Sequence, residues 1–222
     1  MFSRIQVIGS GRAGAAIAGR LRERALDLDA ADPELVLLCV PDGAIAEVAA
    51  SIAPGPWLAH VGGATPLAAL APHERRFGMH PLQTFTRARG PEQLDGAWAA
   101  VTAESEEARG AGVWLARTLG LRPFDLDDGA RTLYHAGAVF ASNYIVTLQR
   151  AATLLFEAAG APPEALEPLM LRTIENGFEL TGPISRGDWA TVAAHRDAIR
   201  AERPDLEGLY ETLADATLAI AT

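Results

Sequence analysis

Gly9, Gly11 and Gly14 stand in G-x-G-x-x-G spacing, with Ser10, Arg12 and Ala13 between them. The run closes the β-branched segment Ile5–Ile8 and opens residues 13–24, where Ile17 and Leu21 recur at helical spacing. In that setting each glycine has a separate task. Gly9 permits a tight turn, Gly11 removes the Cβ that would hold the backbone off a pyrophosphate, and Gly14 lets the helix press on the strand. The first N–H groups of the helix then face an anion, and the positive end of the helix dipole adds to the attraction. The spacing predicts a dinucleotide cradle made by Gly9, Ser10, Gly11, Arg12, Ala13 and Gly14. The alternative is a glycine-rich turn without a ligand.

Further residues are suited to holding or protonating a substrate. His80 ends an apolar run and is followed by the rigid Pro81. It is a candidate for substrate hydrogen bonding, or else a buried histidine satisfied by backbone. His135 and Ser142 lie one heptad apart on a long helical pattern, with Asn143 one step round. Histidine is the side-chain type whose ordinary pKa suits proton transfer near neutral pH, which makes His135 and His80 candidates for the proton. Arg186, in the loop 181–188, offers the planar fork that clamps a carboxylate, or it pairs with Asp188 or with another chain. Gly62 and Gly63 follow a strand and either admit a ligand or form a plain loop. The histidines at 60, 73, 80, 135 and 195 never fall at H-x-x-x-H spacing and no G-x-S-x-G occurs, so metal catalysis and nucleophilic hydrolysis are poorly supported.

Composition narrows the chemistry. The 222 residues carry a net charge of −9, which argues against nucleic acid or an anionic membrane as partner. Every basic residue is arginine, so Schiff-base lysines, P-loop lysines and lysine acids are excluded. Cys39 lies inside the apolar run 35–40 and reads as a buried structural thiol. No apolar run approaches the ~20 residues of a membrane span and no signal-peptide pattern is present, so a cytoplasmic location is expected.

The elements that must position these groups alternate. Residues 5–8, 35–40, 57–61, 77–80, 98–102 and 121–126 read as strands; 13–24, 44–52 and 105–119 read as the helices between them, with Asp42 and Glu104 placed to cap. The pattern predicts an α/β fold, a doubly wound and mostly parallel sheet in a first domain 1–127. A second domain, 128–222, is all helical: 130–159, 163–180, 188–200 and 205–219, with Gly160 as a stop and Asp188 as a cap. One part is short. Only residues 25–34 separate the first helix from Leu35, too few for a second strand and its crossover, so the second β-α unit is expected to be shortened or missing. Asp27, Asp29 and Asp32 are the acids left for ribose recognition and read as a solvated turn before Pro33.

Several motifs together carry a resemblance: Gly9 to Gly14; Val36-Leu37-Leu38-Cys39-Val40-Pro41-Asp42; His60 with Gly62 and Gly63; Met79-His80-Pro81-Leu82-Gln83-Thr84-Phe85; Tyr134-His135-Ala136 with Ser142-Asn143-Tyr144; and Thr181-Gly182-Pro183-Ile184 with Arg186. In this order they resemble the Rossmann-like proteins with an added helical C-terminal domain. These are relatives of 6-phosphogluconate dehydrogenase and pyrroline-5-carboxylate reductase, described as NADP- or deazaflavin-dependent oxidoreductases. The resemblance implies NADP or NAD as cofactor, with Val40, Pro41, Asp42 and Gly62 beside the nicotinamide. It implies Asn143, His135 and His80 as catalytic residues, and Arg186, Ser142 and Gln83 as substrate contacts. It further implies a homodimer through the helical domain and a small-molecule substrate, a carboxylate-bearing carbonyl or imine that exchanges a hydride with the cofactor. Val139 departs from the lysine that several relatives carry one turn before the asparagine, which leaves His135, His80 or water to supply the proton. The competing reading is a non-catalytic Rossmann-like binding or regulatory protein, or one that uses another phosphate-bearing ligand such as a deazaflavin.

Overall fold

A computed structural model describes residues 1–221. At the middle of the sheet, short runs rich in apolar residues form strands that are covered on both faces, as parallel sheets require. All of Leu35–Leu38 and all of Trp57–His60 are buried. The six strands are β1 (Ile5–Ile8), β2 (Leu35–Leu38), β3 (Trp57–His60), β4 (Arg76–Leu82), β5 (Trp98–Thr102) and β6 (Arg122–Asp125). They lie in the order β1-β2-β3-β4-β5-β6. All neighbours run parallel except β4 and β5, so the sheet is mostly parallel.

Side-chain alternation sends successive residues of β2 to opposite faces. Leu35 and Leu37 join Ile5, Phe77 and Val101 under Ile17 and Leu21 of helix α1 (Arg12–Glu23) and Leu115 of α3 (Glu106–Thr118). Val36 and Leu38 join Leu58 under Ile45 and Ala49 of α2 (Ile45–Ser51). This is a doubly wound Rossmann-like arrangement. Arg20, buried on α1, ties the helix to the loop before β5 through Asp95 at 2.7 Å and the Pro91 carbonyl at 3.0 Å.

The second β-α unit is reduced to a single parallel bridge, Arg4 with Asp27. Ile5 N donates to the Asp27 carbonyl at 2.8 Å and Asp27 N to the Ser3 carbonyl at 2.9 Å. The acids of this segment therefore gather at the amino end of β1, opposite to the end that carries Gly9. There Asp27 Oδ1 accepts from Asp29 N at 3.0 Å and Asp32 pairs with Arg4 at 3.5 Å.

Two of the expected caps differ. Ser105, not Glu104, caps α3 by accepting from Ala108 N, while Glu104 takes a forked ion pair from Arg76 on β4. Asp42 caps nothing, because its Oδ2 accepts the Thr65 hydroxyl at 2.7 Å. Asp188 does cap its helix, accepting from Thr191 N at 3.1 Å.

The chain packs as two units, Met1–Ala141 and Ser142–Thr222. The long helix expected over 130–159 is two helices, α4 (Arg131–Ala141) and α5 (Asn143–Ala158), separated where Ser142 leaves helical geometry at φ −129°, ψ −69°. With the helix broken there, heptad spacing no longer holds Ser142 on the face of His135. α4 belongs to the sheet unit. The second unit holds α5, α6 (Leu166–Glu175), α7 (Trp189–Glu202) and α8 (Glu207–Ala221), with Gly160 ending α5 at φ +71°. No helix among the described residues is long and apolar enough to cross a membrane.

Candidate functional site

The turn between β1 and α1 has the geometry that its glycines predict. Gly9 sits at φ +114°, and a Cβ there would run into the Cys39 carbonyl, while one on Gly14 would run into the Gly9 carbonyl. At Gly11 a Cβ would meet nothing within 4 Å, so this backbone faces open space in front of the helix. Gly11 is the N-cap of α1; no side chain caps the helix, and no acid lies in its first turn. Uncapped N–H groups without a local acid form a cradle suited to an anion. Ser10, Gly11 and Arg12 also line a pocket of about 290 Å³ with Thr86, Arg87 and Arg89.

The carboxyl ends of β2 and β3 meet beside this turn, where open parallel sheets place ligands. Val40-Pro41-Asp42 leaves β2, and Asp42 is joined to Thr65 by the hydroxyl bond described above. Gly62, just past β3, is packed between them: a Cβ would lie 2.9 Å from Thr65 Oγ1 and 3.1 Å from Asp42 Oδ2. Cys39 is buried, and burial pushes its thiol up to about 12, so it is an inert part of the core.

A polar cluster forms where α4 crosses the same edge. Arg131, 1% exposed, donates to Thr102 Oγ1 at 2.8 Å and to the Gly62 carbonyl. Its guanidinium lies over Gly78 of β4, where a Cβ would be 2.8 Å from Nη1 and 3.4 Å from His60 Cε1. One turn of α4 further on, the Tyr134 hydroxyl is 2.8 Å from His80 Nδ1. His80 and His135 stand ring to ring at 5.9 Å and close on Gly63, where any Cβ would collide with His135.

Burial sets the charge state here. It pushes His60 down to about 3, helped by the Arg131 charge and opposed by Asp42. It pushes His80 down to about 4, with His135 and Arg131 acting in the same direction. Tyr134 is pushed up to about 12 by burial, and burial also lowers Arg131. Near neutral pH His60 and His80 are thus neutral imidazoles, beside a protonated phenol and one guanidinium. His60 Nδ1 accepts from Gly62 N at 3.2 Å, which leaves the proton on Nε2. That Nε2 and Arg131 Nε are buried donors without a partner among the described residues.

The remaining sequence candidates fall elsewhere. Both ends of the Gln83 amide are committed to loop backbone, Nε2 to the Gln93 carbonyl and Oε1 to Thr84 N, each at 2.8 Å, so Gln83 is held as a brace for that loop. In the second unit, Ser142 Oγ donates to Asn143 Oδ1 at 3.0 Å. Arg186 is exposed in its turn and makes no ion pair, with Asp188 or any other acid, among the described residues. No metal-binding group of His, Cys, Asp or Glu is found among the described residues. Sequence reasoning missed Arg131, Thr65 and the Tyr134 hydroxyl as members of the site. Arg131 carried no signal, since its burial depends on Thr102 and Gly62, both distant in sequence. Tyr134 carried one, because its neighbour in the sequence is His135.

These features define a class: a Rossmann-like α/β unit with a glycine cradle, joined to a helical unit. Residues 97–217 match the family described as a domain of unknown function, DUF2520, and the chain belongs to that family. Among solved structures it is similar to BF3122 of Bacteroides fragilis, provisionally named an NADP oxidoreductase, at 22% identity and TM-score 0.83 over 98% of each chain. It is also similar to protein TM1727 of Thermotoga maritima, at 20% identity and TM-score 0.76 over 98% of each chain. A third likeness is to 1-pyrroline-5-carboxylate reductase of Streptococcus pyogenes, at 17% identity and TM-score 0.62, covering 98% of this chain and 97% of that one. At these identities the likeness is one of fold. Among curated proteins, none matches.

Proposed function

We propose that the protein is an oxidoreductase that transfers a hydride between NADP or NAD and a small carboxylate-bearing carbonyl or imine. One observation carries the reading: the open Gly11 cradle and the His80–Tyr134–Arg131 cluster lie at the carboxyl end of the parallel strands β1 to β4 of one sheet. The names of two structural neighbours, an NADP oxidoreductase and a reductase, agree with it. Gly9 to Gly14 would hold the pyrophosphate, and Val40, Pro41, Asp42 and Gly62 would line the nicotinamide, which supplies the hydride. His80 and His135 serve the proton. Asn143, Ser142 and Arg186 of the helical unit are the candidate substrate residues, Asn143 for orientation and Arg186 for an acid group. The reading includes a homodimer through the helical unit and a cytoplasmic location.

The reduced Asp27 segment supports a second reading, because it leaves no acid beside the cradle for an adenosine ribose. A deazaflavin, or a binding role without turnover, would suit that loss. Calorimetric titration with NADPH, NADH and their oxidised forms, and with a deazaflavin, separates the two. Binding of a nicotinamide cofactor at micromolar to submillimolar concentration, with a matching rise in Tm, is expected. No heat and no thermal shift at millimolar nicotinamide cofactor overturns the first reading, and heat with the deazaflavin alone supports the second.

A further inference from the structure

We infer that the Tyr134 hydroxyl is the proton donor for the proposed reduction, and that His80 returns a proton to it. The inference rests on the oxidoreductase reading above. Its geometric ground is the 2.8 Å contact between Tyr134 Oη and His80 Nδ1, with the rings edge to face at 5.6 Å. Both partners are held by rigid elements. His80 is fixed in the β4–β5 ladder opposite Ala100, and the Tyr134 ring is braced by Phe124 of β6 at 6.0 Å. The phenol is half-buried at the carboxyl edge of the sheet.

The charge states of the pair assign the roles. His80 faces His135, Arg131 and Asp42 and is neutral at pH 7, since burial holds it near 4. A neutral imidazole is too weak an acid to protonate a substrate directly. Tyr134, held near 12, keeps its proton at rest but can yield it to an oxygen or nitrogen that becomes strongly basic. With Nδ1–H of His80 donating to Oη, the phenol hydrogen is free to point at the substrate.

The step balances. As the acceptor carbon gains the hydride, its π pair moves onto oxygen or nitrogen, which takes the proton of Tyr134 as that O–H bond breaks. The phenolate takes the Nδ1 proton of His80, and Nε2 takes one from solvent on the side of His135. One hydride and one proton are consumed, and loss of the Nε2 proton to solvent with return of one to Nδ1 restores the starting tautomer.

The test uses Tyr134→Phe, His80→Gln and the double variant, with folding checked by circular dichroism. NADPH binding is followed by calorimetry, NADPH oxidation with glyoxylate and with 1-pyrroline-2-carboxylate as probes, and the imidazole nitrogens by ¹⁵N NMR without cofactor. Tyr134→Phe is expected to bind NADPH within about twofold of wild type, to lose about a hundredfold in kcat with KM within about threefold, and to shift the His80 Nδ1 resonance. His80→Gln should lose about tenfold, and the double variant should be no slower than Tyr134→Phe, as expected of groups acting in one chain. Tyr134→Phe turnover within threefold of wild type, an unmoved Nδ1 resonance, or wild-type protein that binds NADPH yet oxidises it with neither probe overturns the inference alone. Wild-type protein that binds no NADPH overturns the proposed function and this inference with it.

Discussion

His60 and His80 are neutral because the fold denies them water, and the same denial ties stability to pH. Each has a folded pKa below its ordinary value of 6.5, about 3 for His60 and about 4 for His80. The unfolded chain therefore binds protons that the folded chain refuses. Stability is full above pH 6.5 and falls as pH drops toward 4, by up to about 1.4 kcal/mol per pH unit for each histidine. Urea unfolding between pH 7 and pH 4 should show this loss, and His60→Gln should flatten it; an unchanged slope would mean that His60 is solvated. Arg131 is the neighbour with most to lose. Arg131→Ala removes the bonds to Thr102 and to the Gly62 carbonyl and opens a void, at a cost of roughly 2–4 kcal/mol in urea unfolding. Asn143→Ala should reduce turnover without abolishing it, whereas an unchanged rate would leave Asn143 with its bond to Ser142 as its whole role. At this scale the sequence was informative only where chemistry and spacing coincide. His80 beside Pro81 was visible as a candidate; the burial of Arg131 was not, since nothing in Arg131-Thr132-Leu133 distinguishes it from a surface arginine.

Elements were far more legible than side-chain partners. The strands β1 and β5 match the expected segments to the residue, each a short run rich in β-branched or aromatic residues. The break at Ser142 was hidden. No glycine or proline marks it, and apolar residues recur at helical spacing on both sides. The caps were missed because Glu104 and Asp42 found partners across the fold, Arg76 and Thr65, which local spacing does not reveal. In the glycine turn the structure separates two roles that the motif joins. Gly14→Ala would drive a methyl into the Gly9 carbonyl and should destabilise the sheet unit by 1–3 kcal/mol, on the order of an overpacked core. Gly11→Ala has open space and should leave Tm within about 2 °C of wild type while weakening NADPH at least tenfold. Equal NADPH affinity in Gly11→Ala and wild type would show that no phosphate approaches this backbone.

At the scale of the molecule, the two units bury their apolar residues unequally. The sheet unit encloses two clusters of aliphatic residues, whereas the helical unit leaves Val146 on α5, Leu169 and Ile174 on α6, and Phe178 exposed at 67%, 60%, 52% and 67%. Exposed apolar surface on this scale is characteristic of an interface. The proposed homodimer through this unit accounts for it, and light scattering at micromolar concentration should give twice the chain mass. Val146→Asp should shift the protein toward monomer; a wild-type monomer would remove the proposal.

The bridge at Asp27 has a consequence for self-association. Loss of the second β-α unit makes β1 the rim of the sheet, and a rim strand offers unpaired N–H and C=O groups to any extended chain that passes. The bonds that Asp27 makes with the Ser3 carbonyl and the Ile5 N–H occupy the amino-terminal half of that rim. Asp27→Pro, which deletes the donated N–H, would reopen it. The short segment therefore acts as a selvedge, keeping a sheet that has lost a strand from recruiting one from a neighbour.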